Sequence, residues 1–441
     1  MMKLHRYIIP SVTSMWIYSF YTITDGVFVG RGVGADALSA VNISLPYINI
    51  IFAIGVMIAI GGSNLIGIEL GKGNKKSANN LFMNVLFISF FTSIIFSFLG
   101  HIFLDQIVEF LGAKGEIKHL AKDYLSIVIY FNVFYMTSYA MEVLVKIDGF
   151  PHLSMFGNIL SAIVNIFLDY LFIIKLDFGI KGAAIATGLA QLTGFLFFFF
   201  HFFKGYNLKF KKFKFSFKKF IYINKLGFQD FLAELSSGLI ILIMNKNIIE
   251  TLGNKGLITF SIIAYFNTFA LMSFIGVSHG MQPVVSFLFG KKKIKRVLIN
   301  FKKSFITSIS SGIIAFTIFF SFSDKIALIF LKDDSIIQLA SHGMKIYAFA
   351  FLFMCINIVS GGYFTSIKKP EIAITISILR SFIFIFLSEF ILKNLYFIDF
   401  KDYGIWLIIP LSEFLTSIYS IINVKISVKT GKKIIYNMNN K

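Results

Sequence analysis

Cysteine is almost absent from this chain. Cys355 is the single one among 441 residues, which excludes an intramolecular disulfide and says nothing of redox compartment. Charge is scarce as well, at 15% of residues, and acids are outnumbered, 22 Asp and Glu against 42 Lys and Arg. The seven His residues are scattered without the spacing of a metal site. Gly71-Lys-Gly-Asn-Lys-Lys-Ser77 lacks both the spacing of a phosphate loop and a strand before it. Gly30-Arg-Gly-Val-Gly34 is not a dinucleotide fingerprint either, and no nucleophile–base pair stands out. These absences leave no nucleotide, metal or cofactor site, so any work must draw on an ion gradient or a partner subunit.

What is abundant is apolar. Hydrophobic residues make up 56% of the chain, with 56 Phe, and mean hydropathy is +0.78. That is an integral membrane protein rather than a soluble core. Segments of about 20 residues or more fall at 7–28, 37–68, 79–104, 120–144, 153–174 and 181–203. Six more fall at 225–250, 257–288, 299–323, 339–364, 371–392 and 403–424. The fold class is therefore all-α, with twelve transmembrane helices. Pro10, Pro46, Pro283 and Pro410 lie inside spans and permit bends. The basic residues before the first run precede no A-x-A cleavage pattern, so that run reads as an uncleaved span.

Charge alternates between connections. Lys72, Lys75 and Lys76, the run from Lys204 to Lys225, Lys291 to Arg296, and Lys425 to Lys433 mark one side. Asp105, Glu109, Asp177, Glu250 and Asp324 mark the other. The positive-inside rule places both termini in the cytoplasm. The net charge of +20 is thus topogenic, and nucleic acid is not an expected partner.

The halves repeat. A shift of 219 lays Gly34 on Gly253, Gly61 on Gly280, Gly71 on Gly290 and Lys76 on Lys295 without a gap. Six spans per half give both copies the same orientation, which predicts two six-helix lobes in a parallel pseudo-two-fold repeat. The expected domains are an N-terminal lobe at 1–203, a basic amphipathic cytoplasmic connector at 204–224, and a C-terminal lobe at 225–441.

Polar residues inside spans are costly and mark function by default, at roughly 3 kcal/mol for an ionised Asp at mid-membrane. Asp25 closes the first span, with Tyr21 one turn earlier on its face. Asn165, Asp169 and Thr187 share its depth band, and the shift lays Asp25 on Met244, confining the acid to one lobe. Two carboxyls at one depth in lipid do not ionise together cheaply, so a shared proton or a bound cation is expected if they meet. Sodium is the competing ion, since Asp25, Asn165, Asp169 and Thr187 offer hard oxygen ligands. Glu234, near the middle of span seven, either faces a cavity or bonds a neighbouring span. Glu389 and Glu413 are lesser candidates, and Arg380 is placed to neutralise one of them.

These residues resemble the bacterial branch of the multidrug and toxic compound extrusion (MATE) family over nearly the whole chain. The resemblance rests on Asp25-Gly-Val-Phe-Val-Gly30-Arg with Ala37-Leu-Ser-Ala40, Gly71-Lys-Gly, and Asn165-Ile-Phe-Leu-Asp169 with Gly182-Ala-Ala-Ile-Ala-Thr187. It rests further on Gly280-Met-Gln-Pro283, Gly290-Lys, and Trp406 with Pro410-Leu-Ser-Glu413. It implies a monomeric antiporter in the cell membrane that exports organic cations or amphipathic drugs by alternating access, driven by H⁺ or Na⁺ and without a cofactor. It implies a cation site at Asp25, Asn165 and Asp169, supported by Tyr21 and Thr187, and Glu234 in the substrate cavity. Pro10 matches a proline at which some relatives bend the first span. The chain departs from the family in lacking an acid in span ten and in carrying Lys146 after span four, where Arg is common. The alternatives are a lipid-linked precursor flippase of the same superfamily, which needs a cavity lined by several cations, and a membrane-embedded enzyme, which needs clustered acid–base or metal ligands.

Overall fold

In lipid each apolar stretch must satisfy its own backbone, and a helix is the local way to do so. The computed structural model describes residues 3–330, 333–395 and 399–439, and among them there is no strand. The predicted cytoplasmic ends at Met1 and Lys441 lie outside the described residues. The described chain forms two compact units, Met1–Glu234 and Leu235–Lys441.

The first unit holds helices α1 (His5–Gly32), α2 (Ala35–Gly71), α3 (Lys75–Ile102), the short α4 (Leu104–Phe110), α5 (Gly115–Ile147), α6 (Pro151–Asp169) and α7 (Gly179–Lys204). A wider π turn, Tyr170–Lys175, prolongs α6. Helix α8 (Phe217–Gly290) begins in this unit and continues into the second. There it is followed by α9 (Ile294–Ser321), α10 (Ser323–Phe330), α11 (Asp334–Tyr347), α12 (Phe349–Ser366), α13 (Pro370–Ile378), α14 (Phe384–Asn394) and α15 (Ile405–Asn439). A π turn at Leu379–Ile383 joins α13 to α14, and another at Phe400–Gly404 leads into α15. Six spans per lobe result. Helix α8 supplies two of them, on either side of Gly253 (φ 63°, ψ −154°), and α11 and α12 share one. Span ten is thus bipartite, broken after Tyr347, where the sequence predicted one run.

The repeat governs the backbone in detail. Helices α3 and α9 begin at 75 and 294 and end at 102 and 321, and α4 and α10 begin at 104 and 323. Left-handed residues recur at the same offset: Gly34 and Gly253, Gly73 and Lys292, Gly149 and Lys368. The two lysines adopt φ of 56° and 61°, where a side chain costs about 1–2 kcal/mol; the turn overrides the residue.

The lobes differ where the connector runs. Residues 205–216 are extended and strapped along α3 instead of lying as a helix. Asn79 donates to the Asn207 carbonyl (3.1 Å) and accepts from Lys209 N–H (2.9 Å). Asn84 donates to the Lys214 carbonyl (3.2 Å) and accepts from Ser216 N–H (3.3 Å). Phenylalanines of the Lys–Phe run meet the first lobe: Phe210 meets Phe82 and Phe199, and Phe213 and the exposed Phe215 meet Phe87. Asp148, buried at the end of α5, accepts from Asn207 N–H (3.1 Å) and Leu208 N–H (2.7 Å) and contacts His201 Nε2 at 2.8 Å.

Close helix contact in the first lobe depends on glycine. A Cβ on Gly227 of α8 would lie 1.8 Å from the Met57 carbonyl oxygen, and one on Gly61 of α2 would lie 2.0 Å from that of Ile223. Small residues let membrane helices approach to this degree. Gly227→Leu therefore lowers the thermal stability of the detergent-purified protein by at least the roughly 1–3 kcal/mol of an overpacked core. Gly238, whose Cβ would meet nothing within 4 Å, accepts Ala with no such loss. Equal melting temperatures for the two variants would remove this contact from the account.

Candidate functional site

In the first lobe Asp25, Asn165, Asp169 and Thr187 bring buried side-chain oxygens without a hydrogen-bond partner to one end of the helices. Asp169, at the last turn of α6 before its π turn, is fully buried, and Asn165 one turn earlier is nearly so. Neither Asp169 oxygen, neither polar atom of the Asn165 amide, nor the Thr187 hydroxyl of α7 finds a hydrogen-bond partner among the described residues, and Asp25 Oδ1 is in the same position. Helix α1 packs on α6, and this brings the Asp25 and Asp169 carboxyls within range to act directly on each other. Buried polar groups are overwhelmingly paired, so a cluster of unpaired ones requires an explanation. Two carboxyls, an amide and a hydroxyl are the hard oxygen set that suits a proton or an alkali cation.

Tyr21 stands one turn before Asp25, within electrostatic reach of it and of Tyr124. Thr187 lies one turn beyond Ala183 and Ala184, which pack in a cluster with Val29 and Tyr124. Tyr124 itself, buried on α5, lies within electrostatic reach of both Asp25 and Asp169. The sequence reading missed it.

Glu234 anchors a second group in the same lobe. Helix α8 carries it one turn after the buried Asp230, and both carboxyls act on Tyr139 of α5. Glu234 also acts on Tyr18 of α1 and Tyr135 of α5, whose hydroxyls bond each other. Phe52 of α2 completes the arrangement. It stacks on Tyr18 (6.0 Å between ring centres) and on Tyr135 (5.6 Å) and meets Tyr139 edge-on (5.0 Å). Four half-buried aromatic rings beside a carboxylate form the kind of surface that attracts organic cations. Tyr18 also meets Tyr21 edge-on at 5.3 Å, so the aromatic path continues to Asp25. Sequence reasoning found the carboxylates and missed the rings, though the spacing was there: Tyr18, Tyr21 and Asp25 fall on one face of α1, and Tyr135 and Tyr139 are one turn apart on α5.

Several other intramembrane charges are paired. In the second lobe Arg380, within the π turn between α13 and α14, pairs with Glu413. Glu413 also accepts from Asn357 Nδ2 (2.7 Å), whose carbonyl accepts from Ser420 (2.8 Å). Glu389 pairs with Lys393 at 2.7 Å. Lys146 sits within the last turn of α5 instead of in a loop, 2.9 Å from Glu142, which accepts from Ser154 at 2.9 Å.

Twelve spans on one repeat, with unpartnered carboxyls buried in the first lobe, are the frame of a polytopic transporter. The MatE family model matches residues 10–171 and 231–390, and the chain belongs to that family. It is 25% identical over 349 residues to the multidrug export protein MepA of Staphylococcus haemolyticus, covering 77% of this chain and 75% of the relative. It is 24% identical to MepA of Staphylococcus aureus, covering 86% and 84%. Its fold matches a MATE transporter crystallised in complex with MaL6 at a TM-score of 0.91 and 19% identity, over 98% of this chain and 96% of that one. It also matches a MOP superfamily transporter from Pyrococcus furiosus, described as having a binding pocket of reverse polarity, at 0.90 and 19%, over 97% and 96%. The protein is a multi-pass protein of the bacterial cell membrane.

Satisfied and unsatisfied charges make opposite stability predictions. Glu142→Gln breaks a buried pair and strands Lys146, at a cost of about 3–5 kcal/mol. Asp169→Asn removes a carboxyl whose interacting neighbour is another acid, Asp25, so its melting temperature equals or exceeds wild type. Thermal melts of the two purified variants check this; a large loss for Asp169→Asn would make it a structural residue.

Proposed function

We propose that this chain exports organic cations and amphipathic drugs by alternating access, in exchange for H⁺ or Na⁺ bound at Asp25 and Asp169. The unpartnered carboxyl pair carries the reading. Nothing in the fold needs it, and an intramembrane acid without a structural task marks an ion pathway. Asn165 and Thr187 add oxygens for sodium, and Tyr21 and Tyr124 flank the pair. The aromatic surface beside Glu234 receives the organic cation. Tyr18 links the two groups, so an ion arriving at one alters the field at the other. The names of the MepA relatives support drugs as the cargo.

A flippase for lipid-linked precursors would want free cations within the spans, and the pairing of Arg380 with Glu413 leaves that reading without support. Both termini and residues 204–224 are assigned to the cytoplasm by the charge asymmetry.

In proteoliposomes, wild-type export of a fluorescent organic cation follows the imposed pH or sodium gradient. Asp25→Asn inserts and folds but loses the gradient response; transport that still tracked the gradient as well as wild type would remove Asp25 from the mechanism. Glu234→Gln keeps coupling and loses cationic substrates preferentially over neutral ones. An equal loss for every compound at normal protein levels would assign Glu234 a structural role instead.

A further inference from the structure

The second lobe contains an open groove of about 900 Å³ between the start of α9 and the last turns of α15. One wall is cationic: Lys292, Lys293, Lys295 and Arg296 at the turn into α9, Lys302 further along it, and Lys432 on α15. The other is apolar, with Leu298, Phe305, Val424 and Val428. No acidic residue lines it. Nothing in the transport reading uses it.

The repeat shows what this surface wants. In the first lobe, Asn79, Asn80 and Phe82 of α3 hold the connector strap, through amide hydrogen bonds and the Phe82–Phe210 contact. At an offset of 219 these residues become Leu298, Ile299 and Phe301, and all three line the groove. The strap residues 205–216 become 424–435, which in the second lobe are the helical end of α15. So where the first lobe lays a strap, the second lays the helical end of α15, and the groove stays open between the two helices with Ile299 exposed in it. Asn79 and Asn80, which bond the strap backbone, correspond to apolar side chains, and Asn84 corresponds to Lys303. An occupant that bonds backbone is no longer suited; one with an anionic head and a hydrocarbon body is.

We propose that this groove seats an anionic phospholipid from the leaflet at the lysine-rich end of the helices. Its phosphate lies among Lys292, Lys295, Arg296 and Lys302, and an acyl chain runs along Phe305, Val424 and Val428. Basic clusters at the ends of membrane helices recognise anionic headgroups in this way, at about fivefold in affinity for each cation.

The test uses the purified full-length protein after delipidation, with dioleoyl phosphatidylglycerol, dioleoyl phosphatidylcholine and inorganic phosphate as probes, read by native mass spectrometry and thermal shift. Wild type retains and is stabilised by phosphatidylglycerol in preference to phosphatidylcholine. The variant Lys292→Gln/Lys295→Gln/Lys302→Gln loses on the order of a hundredfold in affinity for phosphatidylglycerol. Val428→Trp, which fills the apolar wall and leaves every cation in place, also loses retention. A control triple on the exposed strap, Lys211→Gln/Lys212→Gln/Lys214→Gln, keeps it. Equal losses in both triples would reduce the effect to net charge and overturn the site. So would unchanged binding by the groove triple or by Val428→Trp, equal retention of phosphatidylcholine, or stabilisation by inorganic phosphate matching that by the lipid.

Discussion

The price of a charge inside a membrane organises this structure. A carboxylate or ammonium in the hydrocarbon layer costs several kcal/mol unless it is paired, hydrated or neutralised. Several buried charges obey by pairing or hydrogen bonding: Lys146 pairs with Glu142 and Arg380 with Glu413, and Asp148 accepts from two backbone N–H groups and contacts His201. Each sits at a helix end or a helix–helix contact and fixes its neighbours. Against that background, Asp25 and Asp169 act on each other with no cationic side chain paired to either among the described residues, beside an amide and a hydroxyl without a partner. Two neighbouring carboxyls with no countercharge are suited to an ion that arrives and leaves.

The two lobes share a backbone and divide the chemistry. Helix starts, turns and even left-handed residues follow one offset, while the polar residues do not. Met244 stands where the first lobe has Asp25, and Ser388 where it has Asp169. Duplication supplied the scaffold, and the copies then diverged in their interiors. The first lobe kept the carboxyl pair and the aromatic surface beside Glu234, and it bound the connector. The second was closed by an Arg–Glu–Asn network that carries no orphaned carboxyl among the described residues.

The fold was largely legible in the sequence because lipid leaves few choices. Twenty apolar residues must be helical, and alternating lysine-rich and acidic connections set the order of spans. The break between spans seven and eight, placed between 250 and 257 from the sequence, is made at Gly253, in register with Gly34. The carboxylates of the site were legible because each is expensive. Tyr18, Tyr124, Tyr135 and Tyr139 were not, because a tyrosine in a Phe-rich membrane protein carries no comparable penalty, and its meaning depends on which neighbour it faces. The packing of the strap was hidden for a related reason. Alternating Lys and Phe suits a membrane surface as well as a helix groove, and only the asparagine ladder of α3 decides between them.

The central claim is that the Asp25–Asp169 pair exchanges its ion when substrate binds. Infrared difference spectra of the purified protein, recorded on adding an organic cation at fixed pH, test it most directly. The account predicts a change in the carboxyl bands that disappears in the Asp25→Asn/Asp169→Asn double variant and persists in Glu413→Gln. A substrate-induced carboxyl signal that survives intact in the double variant would contradict it.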